Sequence, residues 1–243
     1  MSWRIVSLRT IVTVLAAVTI GALGVASASS LGGIVPKSIT SVNASSSAGT
    51  PTVLSCDDFS RAAATGTALV SRPVQLPATC GAATWTVHLG TWTITSGQLG
   101  AATANATATV SAGQTNASAQ ATVLNMNGAS RAAGVAIDHT GSTRTFLAAV
   151  MSGPSTLNLQ LSTSGTMSTL ATASVTFAAS NVLRITRNGS AVTVSIDGTQ
   201  KIAFTLTAGQ ISTLSSGTRA GLYWSSGSTV KFTNFLLTTA YAP

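Results

Sequence analysis

In a chain of 243 residues only 7% are charged and 45% are hydrophobic, and twelve Lys and Arg face four Asp and no Glu for a formal charge of +8. The cations are scattered singly, Arg184 and Arg187 being the closest pair in the second half, so no basic run exists to track a phosphate backbone and a nucleic-acid partner is excluded. Sparse charge with Thr and Ser at most polar positions also excludes an ordinary helical domain and points to many short strands joined by Gly-containing turns.

Residues 1–28 read as an export signal. Arg4 and Arg9 form a basic start, residues 11–25 are apolar, and Ala26-Ser27-Ala28 is a small-residue cleavage site. The apolar stretch falls short of the ~20 residues that span a bilayer, so no stable membrane span is expected after cleavage. The mature chain is then secreted or associated with the cell envelope. Residues 29–54, rich in Ser, Thr, Ala and Gly with Pro36 and Pro51, read as a flexible linker. Residues 55–243 suit one sizeable sandwich. In an exported protein Cys56 and Cys80 are expected to form a disulfide, which closes its loop and stabilises by about 3 kcal/mol. Nothing near the two thiols has zinc-ligand spacing, and His88 and His139 are distant in sequence.

From Trp85 onward the period is two. Residues 85–89 alternate, Gly90 interrupts, residues 92–95 alternate again, and Ser96-Gly97 turns the chain into Gln98-Leu99. Further strands are expected at 117–124, 131–138, 145–151 and 156–162. Trp85 and Trp92 alternate with Thr and are expected in the core. Residues 181–206 spell a three-strand meander: Asn188-Gly189 and Asp197-Gly198 separate alternating runs and are favoured in two-residue hairpin turns. Leu183, Ile185, Val192, Val194, Ile196, Ile202, Phe204 and Leu206 share one face, and Arg184, Thr186, Thr193, Ser195 and Lys201 the other. Residues 206–214 allow a short helical turn, and the last strands fall at 219–224 and 229–237. About a dozen strands of this kind make an all-β, two-sheet antiparallel sandwich.

Several of these segments carry a resemblance. Asp57-Asp58-Phe59-Ser60-Arg61, Trp85 and Trp92-x-Ile-x-Ser-Gly-Gln-Leu, the Leu183-Arg-Ile-x-x-Asn-Gly-x-x-Val-x-Val-x-Ile-Asp-Gly meander, Gly221-Leu-Tyr and Phe232-Thr-Asn-Phe together resemble the concanavalin A-like lectin/glucanase superfamily, in particular laminin-G-like jelly rolls of secreted bacterial proteins. The resemblance covers nearly the whole domain and implies a jelly-roll sandwich. Its motifs set a fold rather than a site.

What the resemblance implies for catalysis meets a chain poor in carboxylates. Glucanases need a paired nucleophile and general acid. Here Asp197 is a turn residue and Asp57 and Asp58 belong to the domain start, which leaves Asp138 alone. Jelly-roll lyases resemble one another in a Gln-x-His strand, absent here although Arg219-Ala-Gly-Leu-Tyr223 echoes their Tyr strand, and no G-x-S-x-G elbow occurs. The chain therefore reads as a non-enzyme. Calcium sites of the superfamily use an Asp of the first segment, matched by Asp58, and a second Asp where this chain has Thr233; a weak structural calcium site and a purely ordering role for Asp58 remain the alternatives. For carbohydrate, Trp224 at a strand-to-loop edge is the leading candidate, with Tyr223, Asp138, His139 and Arg144 beside it if their loops converge. His139, just past an apolar strand, is expected in a solvated turn. The resulting expectation is a glycan-binding or adhesive module whose partner is a polysaccharide or cell-surface glycan, acidic wall polymers included. The alternative is a structural or protein-interaction scaffold of the envelope that self-associates.

Overall fold

Strand follows strand with little else between. The computed structural model describes residues 50–60, 67–69, 80, 84–227 and 229–240, so the expected export signal and residues 29–49 of the expected linker lie outside the described residues. The first eight strands are β1 (Val53–Asp57), β2 (Thr67–Ala68), β3 (Thr86–Leu89), β4 (Trp92–Thr95), β5 (Gln98–Ala101), β6 (Ala106–Ser111), β7 (Ala117–Leu124) and β8 (Ala132–His139). They are followed by β9 (Phe146–Ser152), β10 (Thr156–Thr163), β11 (Thr166–Ser174), β12 (Ser180–Asn188), β13 (Ala191–Ile196), β14 (Thr199–Thr205), the helix α1 (Ala208–Leu214), β15 (Arg219–Ser226) and β16 (Lys231–Thr239). Pairing begins at Val53, two residues inside the segment read as linker, because β1 docks antiparallel on β16.

Two antiparallel sheets result. One runs β14-β13-β12-β7-β16-β5-β4-β2, with β1 also on β16; the other runs β11-β10-β9-β8-β15-β6-β3. Their facing sides interlock as the period-two pattern requires. Leu183, Ile185, Val192, Val194, Ile196 and Ile202 of the meander are buried in one cluster with Val135, Ile137, Leu147, Met151, Leu157, Leu159 and Leu222 of the opposing sheet. Trp85 and Trp92 lie in the same core, 0% and 1% exposed.

The turns follow local chemistry, with one adjustment. Asp197 and Gly198 both have positive φ, 50° and 78°, between the paired Ile196 and Thr199, as a type I′ turn demands. At the other hairpin Asn188 pairs with Ala191, so the two loop residues are Gly189 and Ser190, and only Gly189 has positive φ. The turn thus matches the type II′ pattern, with Gly rather than Asn in the first central position. Helix α1 is held by a capping box in which Thr207 and Gln210 satisfy each other's backbone N–H groups.

At the start of the sandwich a buried carboxylate organises three rings. Asp57 accepts from Trp85 Nε1 at 2.8 Å and from the Phe59 N–H at 2.9 Å, and Trp85 contacts Phe59 and Phe235 with centroids 5.9 and 5.0 Å apart. Next to it Cys56 and Cys80 are disulfide-bonded, their Cα atoms 5.7 Å apart.

Candidate functional site

The site is set by one extra residue in β8. Along this strand Ala133, Val135 and Ile137 point into the core, which would send Asp138 outward and His139 inward. Against β15, however, Ala136 pairs with Gly221 and His139 with Arg219, so Ile137 and Asp138 together face Ala220. This is a β-bulge, with Asp138 at φ 55°. It exchanges the phases. Asp138 turns inward and meets Arg187 of β12 at 2.7 Å, both side chains almost wholly buried, while His139 arrives on the outer face of the seven-stranded sheet.

On that face a ladder of rings crosses from edge strand to centre. His88 stacks on His139 with centroids 4.3 Å apart, His139 stacks on Phe146 at 5.0 Å, and Phe146 tilts against Tyr223 at 5.8 Å. Ala136, Ala148 and Val150 complete an apolar layer around Phe146 and Tyr223. Over it lies a depression of about 280 Å³ lined by Asn105, Ala132, Val150, Asn158, Gln160, Met167, Tyr223 and Ser225 among others. A far narrower cleft of about 20 Å³, lined by Thr107, Arg144, Phe146, Ser162 and Gly165, adjoins it through the shared Asn105, Met167 and Tyr223 and forms the tight end of the groove. Tyr223 Oη donates to Asn105 Oδ1 at 3.0 Å, Thr172 Oγ1 donates to Asn158 Oδ1 at 2.9 Å, and Gln160 Nε2 donates to Thr169 Oγ1 at 3.4 Å. Each wall amide is thus anchored at one end, and Asn105 Nδ2, Asn158 Nδ2 and Gln160 Oε1 have no hydrogen-bond partner among the described residues.

The histidine pair is uncharged at neutral pH. His139 Nδ1 accepts the Gly141 N–H at 2.8 Å, which puts the ring proton on Nε2, and that atom has no partner among the described residues. Burial, then His88, Arg219 and Arg144, lower the His139 pKa to about 3; burial, then Arg219, lower that of His88 to about 4. Burial raises the Asp138 carboxyl above its ordinary value, opposed by Arg187. Folded-state histidine pKa values below the unfolded ~6.5 mean that the unfolded chain takes up protons first as the pH falls. The stability these two rings contribute is therefore full above about pH 6.5 and is lost progressively toward about 4 and about 3. Asp138, shifted the other way, has the opposite sign and recovers stability as the pH falls through its raised folded-state value. Melting temperature against pH should fall below pH ~6.5, and a His88→Gln/His139→Gln variant should flatten the upper part of that fall. An unchanged slope in the variant would show that these rings are not its source.

The expected site residues separate. Tyr223 lies at the centre of the groove and Arg144 at one end. His139 is not in a solvated turn but 0% exposed between two rings, because the bulge rotates it onto the sheet. Asp138 is withdrawn into the interior by the same bulge. Trp224, expected at a rim, is 5% exposed in the core between the sheets, since it alternates with Tyr223 along β15 and the strand's irregularity at Ser225 comes only after it. Asp58 lies elsewhere, near β16. Its carboxylate accepts from Ser60 N–H and Oγ at 2.9 and 2.7 Å, and Thr233 Oγ1 donates to the Asp58 carbonyl at 3.1 Å.

Sequence reasoning missed Phe146, Asn105, Thr107, Asn158 and Gln160. A signal for the first was present: residues 146–151 are apolar at successive positions, whereas a strand with one wet face should alternate. The outer positions Phe146, Ala148 and Val150 are 3%, 0% and 3% exposed. For Asn105 and Thr107 the local sequence, small residues alternating with Thr, offers no comparable cue.

Solved structures share this architecture. The chain is similar to the GH43 protein BlXynB from Bacillus licheniformis at a TM-score of 0.50 and 18% identity, covering 76% of this chain but only 39% of that one. It is also similar to the carbohydrate binding module CBM66 from Bacillus subtilis (TM-score 0.46, 11% identity, 65% of this chain and 92% of that one). A Bacillus subtilis protein of unknown function with a galectin-like fold gives a TM-score of 0.48 at 10% identity, over 65% of this chain and 90% of that one. No family model and no curated protein matches the chain. At these identities the likeness speaks for the fold alone, and the two antiparallel sheets form a jelly-roll sandwich.

Proposed function

We propose that the chain is an exported, non-enzymatic module that binds a glycan in the groove on the seven-stranded sheet. The observation that carries this reading is the groove's make-up: an apolar floor at Val150, Met167 and Tyr223 for sugar C–H faces, beside three amides each fixed at one end. Carbohydrate-binding modules are among the proteins with a similar fold. The export motif at 26–28 and the Cys56–Cys80 disulfide favour an extracytoplasmic location. A non-catalytic role is supported by the state of the carboxylates. The chain has no Glu, and Asp57, Asp58, Asp138 and Asp197 are engaged by Trp85, Ser60, Arg187 and Asn181 respectively.

The test is retention of the full chain on immobilised polysaccharides, with Asn158→Ala/Gln160→Ala as the groove variant. Saturable retention of the parent and about tenfold weaker retention of the variant are expected, with nearly equal melting temperatures because both side chains are only half-buried. The second reading, a self-assembling scaffold, draws on β11. This nine-residue edge strand carries no charge and no Pro, two of the devices that keep sheet edges from pairing, and is protected, among the described residues, only by a bulge at Leu170. Absence of retention on every polymer, together with concentration-dependent association, would favour that reading and sink the first.

A further inference from the structure

The groove has an electrostatic sign. None of the chain's four carboxylates lines it: Asp138 is turned inward by the bulge, Asp57 and Asp58 lie by β16, and Asp197 is in the β13–β14 turn. Cations do approach it. Arg144 lines the narrow end, and Arg219 on β15 bears with it on His139. Arg219 is committed to the sheet, with Nε donating to Thr109 Oγ1 at 2.8 Å and Nη2 to Thr86 Oγ1 at 2.7 Å. The Arg144 guanidinium has no such partner among the described residues.

Arg144 is nevertheless held in place. Its carbonyl accepts from the buried Ser162 hydroxyl at 2.7 Å and from the Gly165 N–H at 3.3 Å. Its φ is 51°, a conformation that costs a bulky residue free energy. The side chain crosses the β10–β11 turn at Gly165, where a Cβ would sit 2.6 Å from Nη2. A strained backbone, a glycine that clears its path and an unpaired guanidinium are an arrangement without a structural beneficiary. A second group in the same cleft is also unspent. Thr107, 1% exposed, lines it with an Oγ1 that has no hydrogen-bond partner among the described residues.

Resting on the glycan-binding reading, we propose that the groove selects acidic glycans, a sugar carboxylate being seated by the Arg144 guanidinium and the Thr107 hydroxyl. Guanidinium and carboxylate match as a two-bond fork, and in a partly dry cleft such a pair discriminates strongly against a neutral ester of the same shape.

The experiment compares binding of the full chain to polygalacturonate and to its fully methyl-esterified form, at an ionic strength of about 0.15 M so that diffuse attraction is screened. The free acid is expected to bind at least ~10-fold more tightly than the ester. Arg144→Met should reduce that preference to within about twofold, and Thr107→Val should weaken acid binding about threefold while leaving binding of the ester unchanged. Lys201→Met removes the same charge from an exposed strand position outside the groove and should change neither. Equal binding of acid and ester would overturn the selectivity while leaving glycan recognition standing; binding of no polysaccharide, neutral ones included, would remove both. A loss in Lys201→Met as large as in Arg144→Met would reduce the effect to net charge and overturn the proposal. Tighter binding of dextran sulfate than of polygalacturonate, lost in Arg144→Met, would overturn the assignment of the anion as a carboxylate.

Discussion

Arg187→Met is expected to destabilise the fold by about 3 to 5 kcal/mol at pH 7, among the largest effects of any single substitution. Arg187 and Asp138 are 4% and 2% exposed and join the two sheets through a 2.7 Å contact, Arg187 also donating from Nε to the Gly189 carbonyl at 2.9 Å. Removing the cation leaves Asp138 as an uncompensated buried charge, and one of its oxygens already has no partner among the described residues. The pH dependence has a definite sign. Burial raises the Asp138 pKa and Arg187 holds it down, so it rises further in Arg187→Met, and the penalty relative to the parent should be full above the variant's value and shrink as the pH falls toward the parent's. Urea denaturation at pH 7 and at about pH 4.5 would measure both values. Asp138→Asn in the Arg187→Met background should recover a large part of the loss, because the buried group is then neutral. A loss of the same size at both pH values, unrelieved by Asp138→Asn, would place the cost in packing rather than in charge.

The parts of the fold that were legible in the sequence are those where local chemistry and tertiary packing agree. The meander shows this most clearly: Asp197-Gly198 supplies the two positive φ angles its turn needs, and Val192, Val194 and Ile196 enter the core as their alternation requires. Trp85 and Trp92 follow the same rule. The site was less legible because its decisive feature is a register. Nothing in Ala-Ile-Asp-His states that Ala220 on β15 will face two residues of β8, yet that pairing exchanges the positions of Asp138 and His139. The groove walls come from Asn105, Asn158 and Gln160, distant in sequence and brought side by side only when β10, β9, β8, β15 and β6 pair in that order. Trp224 was misplaced for a different reason. Its nearness to Ser225-Ser226-Gly227 suggested a rim, but β15 continues through Ser226, so strand alternation and not loop proximity decides which way the ring points.

Trp224→Ala should accordingly behave as a core truncation, costing about 3 to 5 kcal/mol through lost burial and the cavity left behind. The ring is 5% exposed within the cluster that joins the two sheets, and it lies opposite in phase to Tyr223, which faces the groove. Its Nε1–H is buried with no acceptor among the described residues, so part of what the ring gains by burial is already offset by an unmade hydrogen bond. Trp224→Phe, which drops that N–H and keeps most of the apolar surface, should therefore cost much less than Trp224→Ala, on the order of 1 kcal/mol. Trp92→Ala, at a residue 1% exposed in the same core, is the yardstick for the full loss. Glycan retention by the Trp224→Ala protein, measured at a temperature where it remains folded, should stay within about twofold of the parent, because the ring does not reach the groove. A variant with an unchanged melting temperature and abolished retention would put the ring at a binding rim after all. The centre of recognition would then move from the outer face of the sheet to the loop at its end.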